Sequence, residues 1–232
     1  MRFAKLVDYY RRLPQRQKGE PSQSWAVRIQ EGLAEFKKAV SGRYTEGTLQ
    51  RLLAEPHPDA RRAAAMALGL VGTMQANKAL AGRLHDRDSQ VRRLAGDALW
   101  ALWFRADSEA NNAELQRLMR MRDPKKALVA FDTLIKKSRS FAEAYNQRAI
   151  VHFRLEQFES SISDCETVLR LNPHHFGAQS GMAQCYLKLR KPKAALRAFK
   201  NALRVNPNLE GVEETIRALQ EVLGEEGKRE DK

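Results

Sequence analysis

The 232-residue sequence is poor in the residues that mark several protein classes. It has only two cysteines, which excludes a disulfide scaffold and fits a reducing, cytoplasmic compartment. Aromatic residues make up 7%, and the longest apolar run, Ala63 to Val71, is far short of the ~20 residues a membrane helix needs. Met1 is followed by an amphipathic, arginine-containing segment rather than an apolar signal core. Motifs that carry chemistry are missing as well. There is no G-x-x-x-x-G-K, G-x-G-x-x-G, H-E-x-x-H, C-x-x-C or G-x-S-x-G. The expectation is a non-enzymatic chain with no catalytic residues, cofactor or metal.

What is abundant is positive charge and helical periodicity. Lys and Arg total 41 against 28 Asp and Glu, a formal net charge of +13. Two internal periods organise the chain. At an offset of 31 residues, PDARRAAAMALGLVG from Pro58 superposes on SQVRRLAGDALWALW from Ser89. Arg61, Arg62, Ala64, Ala67 and Leu68 thereby match Arg92, Arg93, Ala95, Ala98 and Leu99. A second period, of 34, carries Asn172-Pro173 onto Asn206-Pro207.

The first pattern resembles HEAT repeats, in the short bacterial form named after phycobilisome lyases. That resemblance implies that Arg61 and Arg92 pair with turn acids, Glu55 and Asp86. The second pattern resembles the tetratricopeptide repeat. Ala183, Tyr186, Ala195, Phe199, Ala202 and Pro207 occupy its signature positions in one unit. Ala149, His152, Ser161, Cys165, Val168 and Pro173 occupy them in the other, with His152 and Ser161 departing from the usual aromatic and alanine. A degenerate unit fits Ser108 to Phe141 through Ala127, Phe131 and Leu134, with Ser138 in the proline's place.

The expected fold is all-α: an α-solenoid of helix-turn-helix repeats, HEAT-like then tetratricopeptide-like, with roughly thirteen helices. The expected segments are 1–44 (basic N-terminal helices and linker), 45–107 (HEAT-like), 108–209 (tetratricopeptide-like) and 210–232 (a capping helix and a tail that frays). Few repeats favour one continuous body. Phe3, Leu6, Tyr10 and Leu13 lie along one face of the first helix. With Arg2, Lys5, Arg11 and Arg12 beside it, that face either docks outward or folds back onto the helix of Trp25. Ser24 is placed to cap the latter. His85-Asp86 reads as a turn between helices with Asp86 pairing Arg92, His174-His175 as a solvated turn, and Cys165 and Cys185 as inert thiols.

Two partner readings follow. By its resemblance to tetratricopeptide arrays, the chain would hold an unidentified protein or peptide in a concave groove lined by first helices. The groove residues would be Asn146, Ile150, Phe153, Arg154, Ser180, Gln184, Leu187 and Lys188. Asn146 and Ile150 stand where the chaperone-tail carboxylate clamp has Lys and Asn, so that clamp is not expected. The second reading is a basic surface for nucleic acid or another polyanion. Residues 167–209 hold eight basic and no acidic residues, among them Lys188, Arg190, Lys191, Lys193, Arg197, Lys200 and Arg204.

Overall fold

In the computed structural model, which describes residues 4–230, the two periods become two sets of helix pairs. Thirteen α-helices and no strand occur among the described residues. Arg2 and Phe3 lie outside them. The chain divides into two compact units, residues 1–102 and 103–232.

In the first unit α1 (Ala4–Arg11) and α2 (Ser22–Ser41) precede α3 (Glu46–Leu52), α4 (Pro58–Val71), α5 (Asn77–Arg83) and α6 (Ser89–Trp103), whose last residue, Trp103, belongs to the second unit. The starts of α3 and α5, and of α4 and α6, are each 31 residues apart, as the arginine-alanine pattern requires. Thr45 caps α3 by accepting the Thr48 N–H, and His57 caps α4 through the Asp59 N–H. Helix α2 begins at Ser22 behind Pro21, with no side-chain cap, so Ser24 falls inside the first turn and does not have the capping role. Pro14 ends the first helical segment, and its ring lies where a Cβ on Gly32 would come within 2.5 Å. Leu6 and Val7 are buried, and α1 packs on α4 and on α2, so its apolar face is covered inside the unit. Gly69 brings α4 against α6, since a Cβ there would lie 3.3 Å from the Ala98 Cα.

The arginines of this unit make different pairs from those implied by the HEAT resemblance. Arg61 reaches across to the next repeat and makes a two-pronged ion pair with Asp86, both bonds 2.9 Å. From Glu55 it takes only the backbone carbonyl, at 2.8 Å. Arg92 likewise donates to the Asp86 carbonyl, at 2.9 Å. The repeat equivalence therefore lies in the carbonyl contact, while the carboxylate ties adjacent repeats. Arg62 does the same with Asp88, at 2.9 and 2.5 Å. Those hydrogen bonds outweigh the opposing effect of burial and hold the Asp88 carboxyl down to about 2.

The second unit holds α7 (Glu109–Met119), α8 (Pro124–Lys137), α9 (Ala142–Arg154), α10 (Phe158–Leu171), α11 (Phe176–Lys188), α12 (Pro192–Val205) and α13 (Val212–Glu230). The starts of α8, α10 and α12 are separated by 34 residues, as are those of α9 and α11. Ala127, Ser161 and Ala195 are buried at one register, and Phe131, Cys165 and Phe199 at another. Ser161 is accommodated because its hydroxyl donates to the Ala149 carbonyl at 2.9 Å. Asn172 and Asn206 turn their side-chain oxygens onto the N–H groups of His174 and Asn208. This Asx turn is the physical content of the repeated Asn-Pro pair. On α13, Ile216 and Leu219 join the core of α11 and α12, while Val222 is 48% exposed, off the face expected for it. The helix also continues to Glu230, through most of the segment expected to fray.

His175 overturns the solvated-turn expectation. It is fully buried, and its ring stacks on Trp103 at 4.1 Å. Its Nδ1 accepts the Ala178 N–H, so the proton sits on Nε2, which donates to Glu143 Oε2 at 3.0 Å. Glu143, also fully buried, takes further bonds from Asn146 and Gln147 at 2.9 and 2.7 Å. The reason is positional: 34 residues earlier stands Phe141, also buried, so this register points inward.

Two stability predictions follow from these contacts. His175→Ala removes a stacked ring and one of three donors to a buried carboxylate, at a cost of about 3–5 kcal/mol. Urea unfolding followed by circular dichroism measures it, and a cost under about 1 kcal/mol would contradict the assigned bonding. For Asp88, the folded pKa is depressed, so its stabilisation is present above the unfolded value of ~3.9 and is lost as pH falls toward about 2. The urea midpoint of Asp88→Asn should therefore fall less steeply on acidification than that of the parent chain. Identical acid dependence would exclude the Arg62 pair as a contributor.

Candidate functional site

The eight groove candidates on α9 and α11 have different fates. Asn146 is 5% exposed and committed to Glu143. Phe153 is half-buried and meets Phe158 edge to face at 5.5 Å, which closes the α9–α10 hairpin. Leu187 packs on the core of α11, α12 and α13. The Ser180 hydroxyl is buried with no hydrogen-bond partner among the described residues. Ile150, Arg154, Gln184 and Lys188 are exposed.

Ile150 and Arg154 line a cleft of about 200 Å³ together with α7, α8 and the turn between them. Its apolar wall is Leu118, Met119, Met121, Phe131 and Val151, and Arg122 and Arg154 stand beside it. Leu118 and Phe131 are core residues and form a fixed floor, whereas Met119 and Ile150 are 39% and 38% exposed. Exposure of that size on two large apolar side chains sharing one concavity is what separates this cleft from the rest of the first-helix surface. The sequence reading reached Ile150 and Arg154 by repeat position. Met119 and Arg122 stand in the degenerate repeat, outside the two clear units whose groove positions follow from repeat register. Shifting Phe153 and Arg154 back by 34 residues would have named Met119 and Arg120.

The seven basic candidates, Lys188, Arg190, Lys191, Lys193, Arg197, Lys200 and Arg204, are all exposed. None forms an ion pair among the described residues. The arginines of the packed interior behave differently. Arg148 on α9 binds Asp164 of α10 at 2.8 and 2.5 Å and Asp132 of α8 at 2.6 Å, and so ties three helices together.

Comparison with known proteins agrees with the two periods. A model described as HEAT repeats matches residues 31–134, and one described as tetratricopeptide repeat matches residues 152–221. The chain carries HEAT repeats followed by tetratricopeptide repeats. A TPR repeat-containing protein of Rhizobium etli is 34% identical over 97 residues, which is 42% of this chain. The chain spans about half (48%) of that relative's length. Among solved structures, the first TPR of Spaghetti bound to an HSP90 peptide is 20% identical, with a TM-score of 0.48 over 51% of this chain and 96% of that one. A thermophilic TPR protein of Thermus thermophilus is 18% identical, with a TM-score of 0.38 over 85% of this chain and 94% of that one. The HEAT match extends over α7 and most of α8, although α8 keeps the 34-residue phase of the tetratricopeptide hairpins.

No group of three His, Cys, Asp or Glu among the described residues is placed to hold a metal ion. Nor is any helix among them long and apolar enough to cross a membrane. Cys165 lies in the tetratricopeptide core at 2% exposure, and burial pushes its thiol up to about 12. Cys185 is fully buried, its thiol also raised by burial, and its Sγ donates to the Ser161 hydroxyl at 3.2 Å. A thiolate is the reactive form, so both cysteines should resist a thiol-specific reagent in the native state and react after denaturation. Counting thiols with Ellman's reagent, with and without denaturant, checks this. Rapid native modification of either one would show an access route absent from this packing.

Proposed function

We propose that the chain is a non-enzymatic interaction scaffold whose tetratricopeptide part holds a protein or peptide segment in the cleft between α7 and α9. The observation that supports the reading best is the pairing of exposed Met119 and Ile150 over a rigid apolar floor, with Arg122 and Arg154 alongside. An apolar ligand side chain would fill the cleft and give most of the affinity by leaving water. The two guanidiniums would select an acidic residue next to it, by charge-assisted hydrogen bonds to a carboxylate. Methionine suits a surface that must adapt to its ligand, because its side chain is unbranched and flexible.

Selection from a random peptide library on the full-length chain tests the reading. Enriched sequences should pair a large apolar residue with a neighbouring Asp or Glu. Ile150→Asp should weaken the selected peptides by about tenfold to hundredfold, matching loss of one buried aliphatic contact of about 1.5–3 kcal/mol. If the selected peptides bind Ile150→Asp and Met119→Asp as tightly as the parent, the cleft is not their site.

A further inference from the structure

On α12, Lys193, Arg197, Lys200 and Arg204 follow at intervals of four, three and four residues. They stand on one helix face over about 16 Å, and all four are exposed. Lys188, Arg190 and Lys191 continue the row round the α11–α12 turn, where Arg190 takes a left-handed backbone with φ of +54°. Helix α13 packs on α12, but none of its described side chains pairs with the row. Its Glu214 pairs with Arg217 on its own helix, and Glu213 and Glu221 are exposed to solvent.

The fold does not demand these cations. One repeat earlier the same register on α10 holds Glu159, Ser163, Glu166 and Arg170, equally exposed. The hairpin therefore accepts carboxylates where α12 has Lys193 and Lys200. Seven cations with no ion pair among the described residues repel each other along one turn and one helix, a cost that an anionic ligand would relieve.

We propose that this row binds the phosphodiester backbone of nucleic acid without sequence preference. A linear polyanion with a charge on every residue matches a strip of cations one side chain wide. An anionic membrane fits less well. The apolar residues of α12 are buried, as are Ala195, Ala198, Phe199 and Ala202, or partly buried against the core, as are Leu196 and Leu203, and the helix has no large exposed apolar side chain to insert into lipid. The row includes no aromatic ring and no amide side chain, so it has no means to stack on bases or read their edges. This site lies on a second helix of the repeat and is independent of the α7–α9 cleft.

The test is fluorescence anisotropy of the full-length chain with labelled oligonucleotides of roughly 20 nucleotides and scrambled sequence, from about 50 to 200 mM salt. Binding should be independent of sequence and should weaken steeply with salt. Lys193→Glu with Lys200→Glu, which installs the residue type that α10 already carries, should weaken binding at low salt about tenfold or more. It should also flatten the logarithmic salt slope by about 1.4 on single strands. Lys37→Glu with Lys38→Glu on α2 changes the net charge equally and should have a much smaller effect. Ile150→Asp should have none, which keeps this result separate from the cleft. Failure to bind at low salt overturns the proposal, as does equal loss from both charge reversals. So does a row that binds phosphatidylserine vesicles or polyglutamate through Lys193 and Lys200 but not the oligonucleotides.

Discussion

A helix hairpin has one apolar seam and cannot keep water from it alone, and everything else in the second unit follows from how that seam is closed. Close approach of two helices needs small side chains at the crossing. Ala127, Ser161 and Ala195 supply them on the second helices, and Ala149 and Ala183 on first helices, all buried. Larger residues then fill the layer above: Phe131 and Phe199 in two hairpins, Cys165 in the one between. The smaller volume of Cys165 is met from the next hairpin, where Met182 packs on its cluster and a Cβ on Gly181 would lie only 3.8 Å from its sulfur. A substitution in one repeat is thus answered in its neighbour. Stability here is a sum of unit and nearest-neighbour terms.

Polar groups inside such a stack must be satisfied locally, because each hairpin buries the ends of the last one. The Asn-Pro turns do this with a side-chain oxygen that accepts from the backbone two residues on. His175 does it with both ring nitrogens, one capping α11 and the other holding the Glu143 carboxylate. Glu143 in turn fixes Asn146 and Gln147 on its own helix. This cluster explains why Asn146, placed on the groove face by repeat register, is buried with its amide turned onto Glu143.

The periods of 31 and 34 were legible because each is written in residues whose size decides the packing. Alanine and leucine recur where helices cross, and Asn-Pro recurs where the chain must turn. Ion-pair partners were not legible. Arg61 and Arg92 are equivalent in sequence and make the same carbonyl contact, but the carboxylate of Arg61 comes from the following repeat, 25 residues away. Distance along the chain does not encode that choice; the stagger of adjacent helices does. His175 was misread for a related reason: a histidine pair after Asn-Pro looks polar and solvated until its register is compared with Phe141. The cleft was half legible, since repeat position gives Ile150 and Arg154 but not which first-helix residues the hairpin itself consumes.

The distribution of arginine and lysine connects packing to partners. Where a cation lies between helices it is matched: Arg61 with Asp86, Arg62 with Asp88, Arg148 with Asp132 and Asp164. These pairs are partly buried, and removing one member would strand the other charge at several times the cost of an exposed pair. Where cations are unmatched they gather on exposed faces, Arg122 and Arg154 beside an apolar cleft and the α12 row beside none. The two settings favour different ligands by the same electrostatics. An apolar neighbour adds desolvation and so favours a short segment with a side chain to bury. A bare row adds only charge and so favours a ligand whose charge is continuous. The paired arginines and carboxylates cancel, so the net charge of +13 is carried by cations such as those of the exposed α12 row.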